Sequence, residues 1–252
     1  MLDAANRDAW LPEARASGTG APLVCFPPAG AGAGFFREWS ARLPGWHVAP
    51  AQPPGREERF GEPAVEDALA LAAGAAAAIR TRGWPEVTLL GYSFGALLAF
   101  ETARALEDAG ACRVRRLIVC ARAAPQTAAK ATVADWPDAD LIAYVESLGG
   151  LPPEIAAAPE FLALLLPTLR ADFRANDLYA APADRRIAAP IAIVAGDDDP
   201  ATADGKAEIW RDRTTGRSRA FRAPGGHFFV LEDPAAAFDA IVQASADWED
   251  AS

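Results

Sequence analysis

The stretch that most constrains this chain is Val87 to Leu106. There the apolar run Val87-Thr88-Leu89-Leu90 breaks at Gly91-Tyr92-Ser93-Phe94-Gly95 and resumes with helical spacing from Ala96 onward. A strand, a sharp turn and a helix in that order read as a nucleophile elbow. The turn lifts the Ser93 hydroxyl off the end of a sheet, and glycines flank it because no side chain fits beside that backbone. The same five residues could form an ordinary glycine turn, but the strand before and the alanine-rich helix after are the context the elbow requires.

The segments around the elbow tell what sheet it belongs to. Leu23-Val24-Cys25-Phe26 is a short buried-strand pattern running into the loop Pro27-Pro28-Ala29-Gly30-Ala31-Gly32-Ala33-Gly34. That loop fails the dinucleotide fingerprint, since Phe35 stands where a glycine is needed, so it is not read as a phosphate cradle. Its glycines suit a loop whose backbone N–H groups face a ligand, as the oxyanion loop of a serine hydrolase does. A helix-like stretch over Phe35 to Leu43, a strand at Trp46 to Ala49, a solvated charged turn at Arg56 to Arg59 and a helix over Val65 to Arg82 follow. Val114 to Ala121 is the next strand. Arg113, Arg115 and Arg116 at its start read as a solvated entry.

Alternation of strand and helix predicts parallel βαβ units. It stops at Asp138 to Arg186, which reads as helices broken by Gly149-Gly150, Pro152-Pro153, Pro159 and Pro167. An insertion that long between strands is the usual form of a lid. The pattern resumes with a strand at Ile191 to Ala195, a helix near Ala203 to Arg211, a strand near Arg217 to Arg222 and a helix from Pro234 to Ala246. The expected fold class is α/β, a mostly parallel central sheet with flanking helices. One domain spans 1–252 and carries the inserted helical lid at about 125–186.

Composition excludes several function classes. Half of the 252 residues are apolar, which fits a buried core, and the net charge of −10 opposes nucleic-acid binding, which needs a basic face. Cys25, Cys112 and Cys120 are odd in number and lack metal-ligand spacing. The first residues have neither a basic start nor an apolar core, and the apolar run Ala68 to Ile79 is too short to span a bilayer. The expectation is a cytoplasmic protein with no membrane segment.

Serine needs a base to take its proton, and the base needs a third group to hold its tautomer. The only histidines are His47 and His227, and the hydrolase order of nucleophile, acid, base selects His227, with His47 read as structural. Asp197, Asp198 and Asp199 all end the Ile191 strand. Asp199 is preferred because a turn there can aim it across the sheet edge, with Asp198 as the alternative. A metal site at these carboxylates would need more oxygen ligands than Ala201-Thr202-Ala203 provides. The oxyanion donors are expected to be the backbone N–H groups of Phe94 and Ala29.

With these segments in view, the chain resembles the type II thioesterases, stand-alone α/β-hydrolases that accompany polyketide synthases and nonribosomal peptide synthetases. The likeness is carried by the 25–32 loop with Trp39, the Pro53-Pro54-Gly55-Arg56-Glu57-Glu58-Arg59 turn, the elbow, Leu166 to Phe173, the Gly196 to Pro200 turn and Pro224 to Phe229. The resemblance implies an α/β-hydrolase fold and hydrolysis of acyl groups from the phosphopantetheine arm of an acyl carrier protein or peptidyl carrier domain, which clears stalled or aberrant units. It further implies Ser93, Asp199 and His227 as the triad, Ala29 and Phe94 as oxyanion donors, no cofactor, no metal and a monomer. Tyr92 and Phe94 stand where many members carry histidine and methionine, which predicts a reshaped acyl site with Tyr92 and Phe228 among its substrate contacts. The rival expectation is a small-molecule carboxylesterase of the same fold, since the same triad cleaves oxygen esters.

Overall fold

The computed structural model describes residues 9–125, 132–151, 153–182 and 184–246, so parts of the expected 125–186 insertion lie outside the described residues. The strands are β1 (Ala21–Phe26), β2 (Trp46–Pro50), β3 (Glu86–Tyr92), β4 (Arg113–Cys120), β5 (Ile191–Gly196) and β6 (Ser218–Ala223). They form one sheet in the order β2-β1-β3-β4-β5-β6, and every neighbouring pair is parallel. The longer helices are α1 (Ala68–Thr81), α2 (Phe94–Ala109), α3 (Asp138–Ser147), α4 (Pro159–Asp177) and α5 (Pro234–Ser245). This is the α/β-hydrolase arrangement.

The period-2 alternation of a strand decides which core each side chain enters. In β1, Val24 and Phe26 pack with Leu71 and Ile79 of α1 and Leu97 and Phe100 of α2. Leu23 and Cys25 face the other way, onto Trp39, Leu43, and Phe238 and Ile241 of α5. Both faces of the sheet are therefore covered, as an all-parallel sheet requires. From β1 the chain moves outward to β2 and then returns to the other side of β1 as β3. The crevice at the carboxyl ends of β1 and β3 is thus a topological switch point, where sheets of this kind bind ligands. The 27–34 loop follows β1 there, and Ser93 follows β3.

Several expectations need correction. The residues just before β1 join the fold: Trp10 and Leu11 are buried, the Trp10 carbonyl accepts from Gln52 N–H at 2.9 Å, and Ser17 bridges to Val48. The 56–59 turn is not solvated throughout, because Arg56 and Arg59 are each only 5% exposed. Arg116 also turns inward, where its guanidinium donates to the carbonyls of Ser245 (2.6 Å) and Ala246 and so caps the end of α5. The region 203–211 forms turns and a 3₁₀ segment, Glu208–Arg213, where a helix was expected. Pro159 opens α4 and does not break a helix, and Pro167 lies inside α4 without ending it. Proline at 167 removes the bond to the Ala163 carbonyl, but both residues lie on the exposed face, where water can replace it.

The elbow shows how tightly the elements meet. A Cβ on Gly91 would come within 2.2 Å of the Gly95 carbonyl oxygen, and one on Gly95 within 2.1 Å of the Phe26 carbonyl oxygen. These are backbone atoms of the first turn of α2 and of the end of the inner strand β1, and they cannot step aside. Gly95→Ala is therefore expected to destabilise the protein by about 3 kcal/mol or more in urea unfolding. Gly61→Ala, at an exposed site where a Cβ meets nothing within 4 Å, should stay within about 0.5 kcal/mol of the parent. Equal stability of the two variants would overturn the close-approach argument.

Candidate active site

Ser93 caps α2 with φ 52 and ψ −118, a left-handed backbone that a side-chain-bearing residue adopts only under constraint. The constraint is the approach of α2 to β3 and β1 just described, and its effect is to hold the hydroxyl clear of the sheet. His227 follows β6 through the Gly225-Gly226 turn. Its Nε2 lies 2.9 Å from Ser93 Oγ, and its Nδ1 lies 3.1 Å and 3.2 Å from the two carboxylate oxygens of Asp199. The β5 and β6 turns press together: Asp198 N–H donates to the Gly225 carbonyl at 3.0 Å, and a Cβ on Gly196 would strike the Gly225 and Gly226 carbonyls.

Of the three aspartates, only Asp199 turns inward. It is 1% exposed, while Asp197 and Asp198 are exposed and Asp197 pairs with Arg222 at 3.1 Å. Burial pushes the Asp199 carboxyl upward, but the hydrogen bond and charge of His227, the Ala201 N–H at 2.9 Å and Thr202 outweigh it and hold the carboxyl below its usual range. His47 is remote from this group, on β2, with Nδ1 3.4 Å from the Gly18 carbonyl.

These side chains open into a cavity of about 330 Å³, whose wall includes Ala29, Ser93, Phe94, Tyr144, Leu169, His227 and Phe228. The N–H of Phe94 lies in the first turn of α2, where helix N–H groups have no intrahelical acceptor. Neither it nor the Ala29 N–H donates to another group among the described residues. Phe228 lines the cavity, and Tyr92 does not. Its side chain is fully buried behind the site, stacked on Phe228 with ring centroids 5.8 Å apart, and its hydroxyl donates to the His227 carbonyl at 2.7 Å. The strand alternation explains the placement: Tyr92 ends β3 on the sheet face packed against α5, where its hydroxyl meets the His227 backbone and it is not part of the cavity wall.

Sequence reasoning missed a buried polar clamp beneath the 27–34 loop. Arg56 donates to Asp172 of α4 through two nitrogens, at 2.5 Å and 2.9 Å, and the same carboxylate accepts from the Gly30 N–H at 2.8 Å. Asp172 has no solvent exposure. Gln52 accepts from Ala33 N–H at 2.9 Å, Glu57 accepts from Gly34 N–H at 3.0 Å, and Thr168 donates to the Gly55 carbonyl at 2.8 Å. The loop, the 53–59 turn and α4 are thereby fixed to one another. One signal was present in the sequence: Asp172 falls among Thr168, Leu169, Ala171 and Ala175 on the buried stripe of α4, and a carboxylate on such a stripe must be paired.

Removing one partner of a buried pair strands the other charge. Asp172→Ala is expected to lower unfolding stability by about 3–5 kcal/mol. Arg56→Met with Asp172→Leu together should lose much less than the sum of the single changes, and a double-mutant cycle checks this. Acidification gives a second outcome. Because the folded Asp199 carboxyl is held below its unfolded value, its contact with His227 contributes stability that is present above the ordinary carboxylate range and lost as pH falls through the folded value. Thermal unfolding of wild type and Asp199→Asn should therefore converge as the solution is acidified below that range, and a constant difference would contradict it.

Among the described residues no group of three or more histidine, cysteine or carboxylate side chains is arranged to hold a metal ion. No helix among them is long and apolar enough to cross a membrane. Comparison with known proteins agrees with the geometry. Residues 21–248 match the thioesterase domain family. The chain is 40% identical over 223 residues to the "Probable cadicidin biosynthesis thioesterase" of Streptomyces griseus, covering 88% of this chain and 62% of that protein. It is 35% identical over 211 residues to "Thioesterase PikA5" of Streptomyces venezuelae, covering 82% of this chain and 75% of that protein. Among solved structures, the type II thioesterase BorB from the borrelidin biosynthetic cluster superposes with a TM-score of 0.81 at 34% identity, over 90% of this chain and 94% of that one. The serine stands at the switch point of a parallel sheet, and by these likenesses the chain belongs to the thioesterase domain family, as a relative of the type II enzymes of polyketide and nonribosomal peptide biosynthesis.

Proposed function

We propose that the protein releases acyl groups from the phosphopantetheine thioesters of acyl carrier or peptidyl carrier domains, and so clears stalled or aberrant units. The observation that carries this reading is the contact of Ser93 Oγ with His227 Nε2 at 2.9 Å, with Asp199 buried behind the ring and a cavity in front of the hydroxyl.

In this mechanism His227 takes the Ser93 proton as Oγ attacks the thioester carbonyl carbon, and Asp199 holds the imidazole in the tautomer that can accept it. The developing oxyanion accepts from the N–H groups of Phe94 and Ala29. Collapse breaks the carbon–sulfur bond, and His227 delivers its proton to the departing pantetheine thiolate. A water then attacks the acyl-serine, His227 takes its proton, and the acid leaves with Ser93 restored. No cofactor takes part in these steps.

The route for the arm is supported by an open groove of about 490 Å³ that shares Ala29, Val145, Leu169 and Phe228 with the cavity. Its outer walls include Phe60, Phe161, Leu164 and Leu231, each more than half exposed. In this reading α3 and α4 act as the lid, and the groove between them and the 27–34 loop admits the carrier-borne arm while the acyl group occupies the inner cavity.

Carrier proteins loaded with acetyl, propionyl and longer acyl-pantetheine, followed by intact mass, test the proposal. Wild type should remove the acyl mass, Ser93→Ala should be slower by at least about 10³-fold, and Asp199→Asn by roughly 10³- to 10⁴-fold. Carriers that stay loaded while p-nitrophenyl esters are cleaved quickly would replace this reading with a small-molecule carboxylesterase.

A further inference from the structure

The inner cavity contains polar chemistry that acyl transfer does not use. Part of its wall is Arg122, Tyr144, Asn176 and Asp177, none of which hydrogen-bonds to Ser93, His227 or Asp199. A cavity meant only for small alkyl chains has no need of a guanidinium, since burying a charge without full hydrogen bonding is unfavourable.

The backbone at Arg122 is held in place from two sides. Ala121, at the end of β4, has φ 53, a strained left-handed geometry for a residue with a side chain, and such strain collects at sites of function. The Arg122 carbonyl accepts from Trp210 Nε1 at 2.9 Å, and Trp210 is fully buried. The side chain then crosses to α4, where Nη1 donates to Asn176 Oδ1.

The remaining valences are uneven. Asp177 is satisfied: one oxygen accepts from Thr132 Oγ1 at 2.9 Å and Val133 N–H at 3.0 Å, and the other from Asn176 Nδ2 at 2.7 Å. Arg122 is not. A guanidinium carries five N–H donors, yet the Asn176 contact is its only side-chain hydrogen bond among the described residues, and its Nε is buried without an acceptor. Burial draws its pKa down to about 10, while Asp177 and Tyr179 pull the other way, so the group is still charged at neutral pH. Arg122 is only half-buried and lines the cavity, so the donors that Asn176 does not take, apart from the enclosed Nε, are available to an acceptor brought into the cavity in place of water.

We propose that Arg122 is a specificity-determining residue of this cavity, taking a hydrogen bond to an acceptor oxygen on the acyl chain, so that oxygen-bearing acyl groups are preferred over plain alkyl ones. The inference rests on the thioester reading of Ser93 and names the substrate class within it. Asn176 is a positioning residue here, because it anchors the guanidinium on α4.

The test compares carriers loaded with butyryl, acetoacetyl and succinyl groups, which share a four-carbon acyl skeleton and differ in their oxygens. Wild type should favour at least one oxygenated group over butyryl in kcat/KM by roughly 10- to 100-fold, the range expected of a hydrogen bond to a charged donor. Arg122→Met should collapse that ratio toward one, Arg122→Lys should retain part of it, and Asn176→Leu, which leaves the guanidinium in place but unanchored, should reduce it. Preference for succinyl identifies a carboxylate as the acceptor, and preference for acetoacetyl a neutral carbonyl. A wild-type ratio near one, or a ratio unmoved in a folded Arg122→Met protein, overturns the inference while leaving thioester hydrolysis intact. If wild type releases no acyl group from any carrier, the hydrolytic reading fails instead. Calorimetric binding of butyryl- and acetoacetyl-pantetheine to Ser93→Ala and to Ser93→Ala with Arg122→Met then decides the role of Arg122 alone, equal affinities overturning it.

Discussion

A carboxylate without access to water holds together the parts of this molecule that surround Ser93. Asp172 lies on the buried face of α4 and meets both the Arg56 guanidinium and the Gly30 N–H. A charge so placed is tolerated only when it is paired and its lone pairs are occupied. The pairing therefore dictates where three separate segments must stand: the 27–34 loop, the 53–59 turn and the second half of the inserted helices. The loop that presents the Ala29 N–H has little apolar substance of its own, so its shape is supplied by Gln52, Glu57 and Asp172 from outside it.

The elbow complements this clamp from below. Ser93 is held in a strained backbone because Gly91 and Gly95 allow α2 to lie against β3 and β1 at distances no side chain would permit. Strain of this kind persists only where the surrounding structure over-determines it. Around Ser93 that surrounding structure is the buried apolar packing of α2, where nearly every inward residue from Phe94 to Leu106 is enclosed. The cavity is thus framed by a rigid sheet edge on one side and by helices tethered through polar contacts on the other. The outer half of α4 is different: Phe161 and Leu164 are exposed, and Pro167 marks the boundary between that half and the anchored one.

Much of this was legible in the sequence, for identifiable reasons. Strand and helix periodicity marked the six strands within a residue or two, because a parallel sheet buried on both faces leaves long apolar runs. Ser93 and His227 were selected from motif order, with Asp199 preferred over Asp198 for its place in the turn, and the structure brings the side chains of Ser93, His227 and Asp199 into hydrogen-bond contact. What failed were statements about surroundings. Arg56 and Arg59 looked like a solvated turn because local sequence shows charge and not the cover over it. Tyr92 looked like a substrate contact because it adjoins the serine, yet the pleat turns it to the core, where it holds the His227 carbonyl. Arg122 carried no signal at all, since its neighbours in space, Asn176 and Asp177, are more than fifty residues away in the chain.

The sequence by itself determined the order of elements, the parallel sheet, the place of the serine at a strand end and the identity of the only histidine able to follow it. These are properties of local periodicity, of glycine at close approaches and of chain order, which need no knowledge of distant contacts. Tertiary structure alone decided which of three adjacent aspartates faces His227, which arginines are buried, and how the inserted helices are tied to the loop above the serine. Those outcomes depend on which distant carboxylate, carbonyl or ring each group meets, and burial fixes the charge, hydrogen bonding and reach of a polar side chain only after the chain has closed around it.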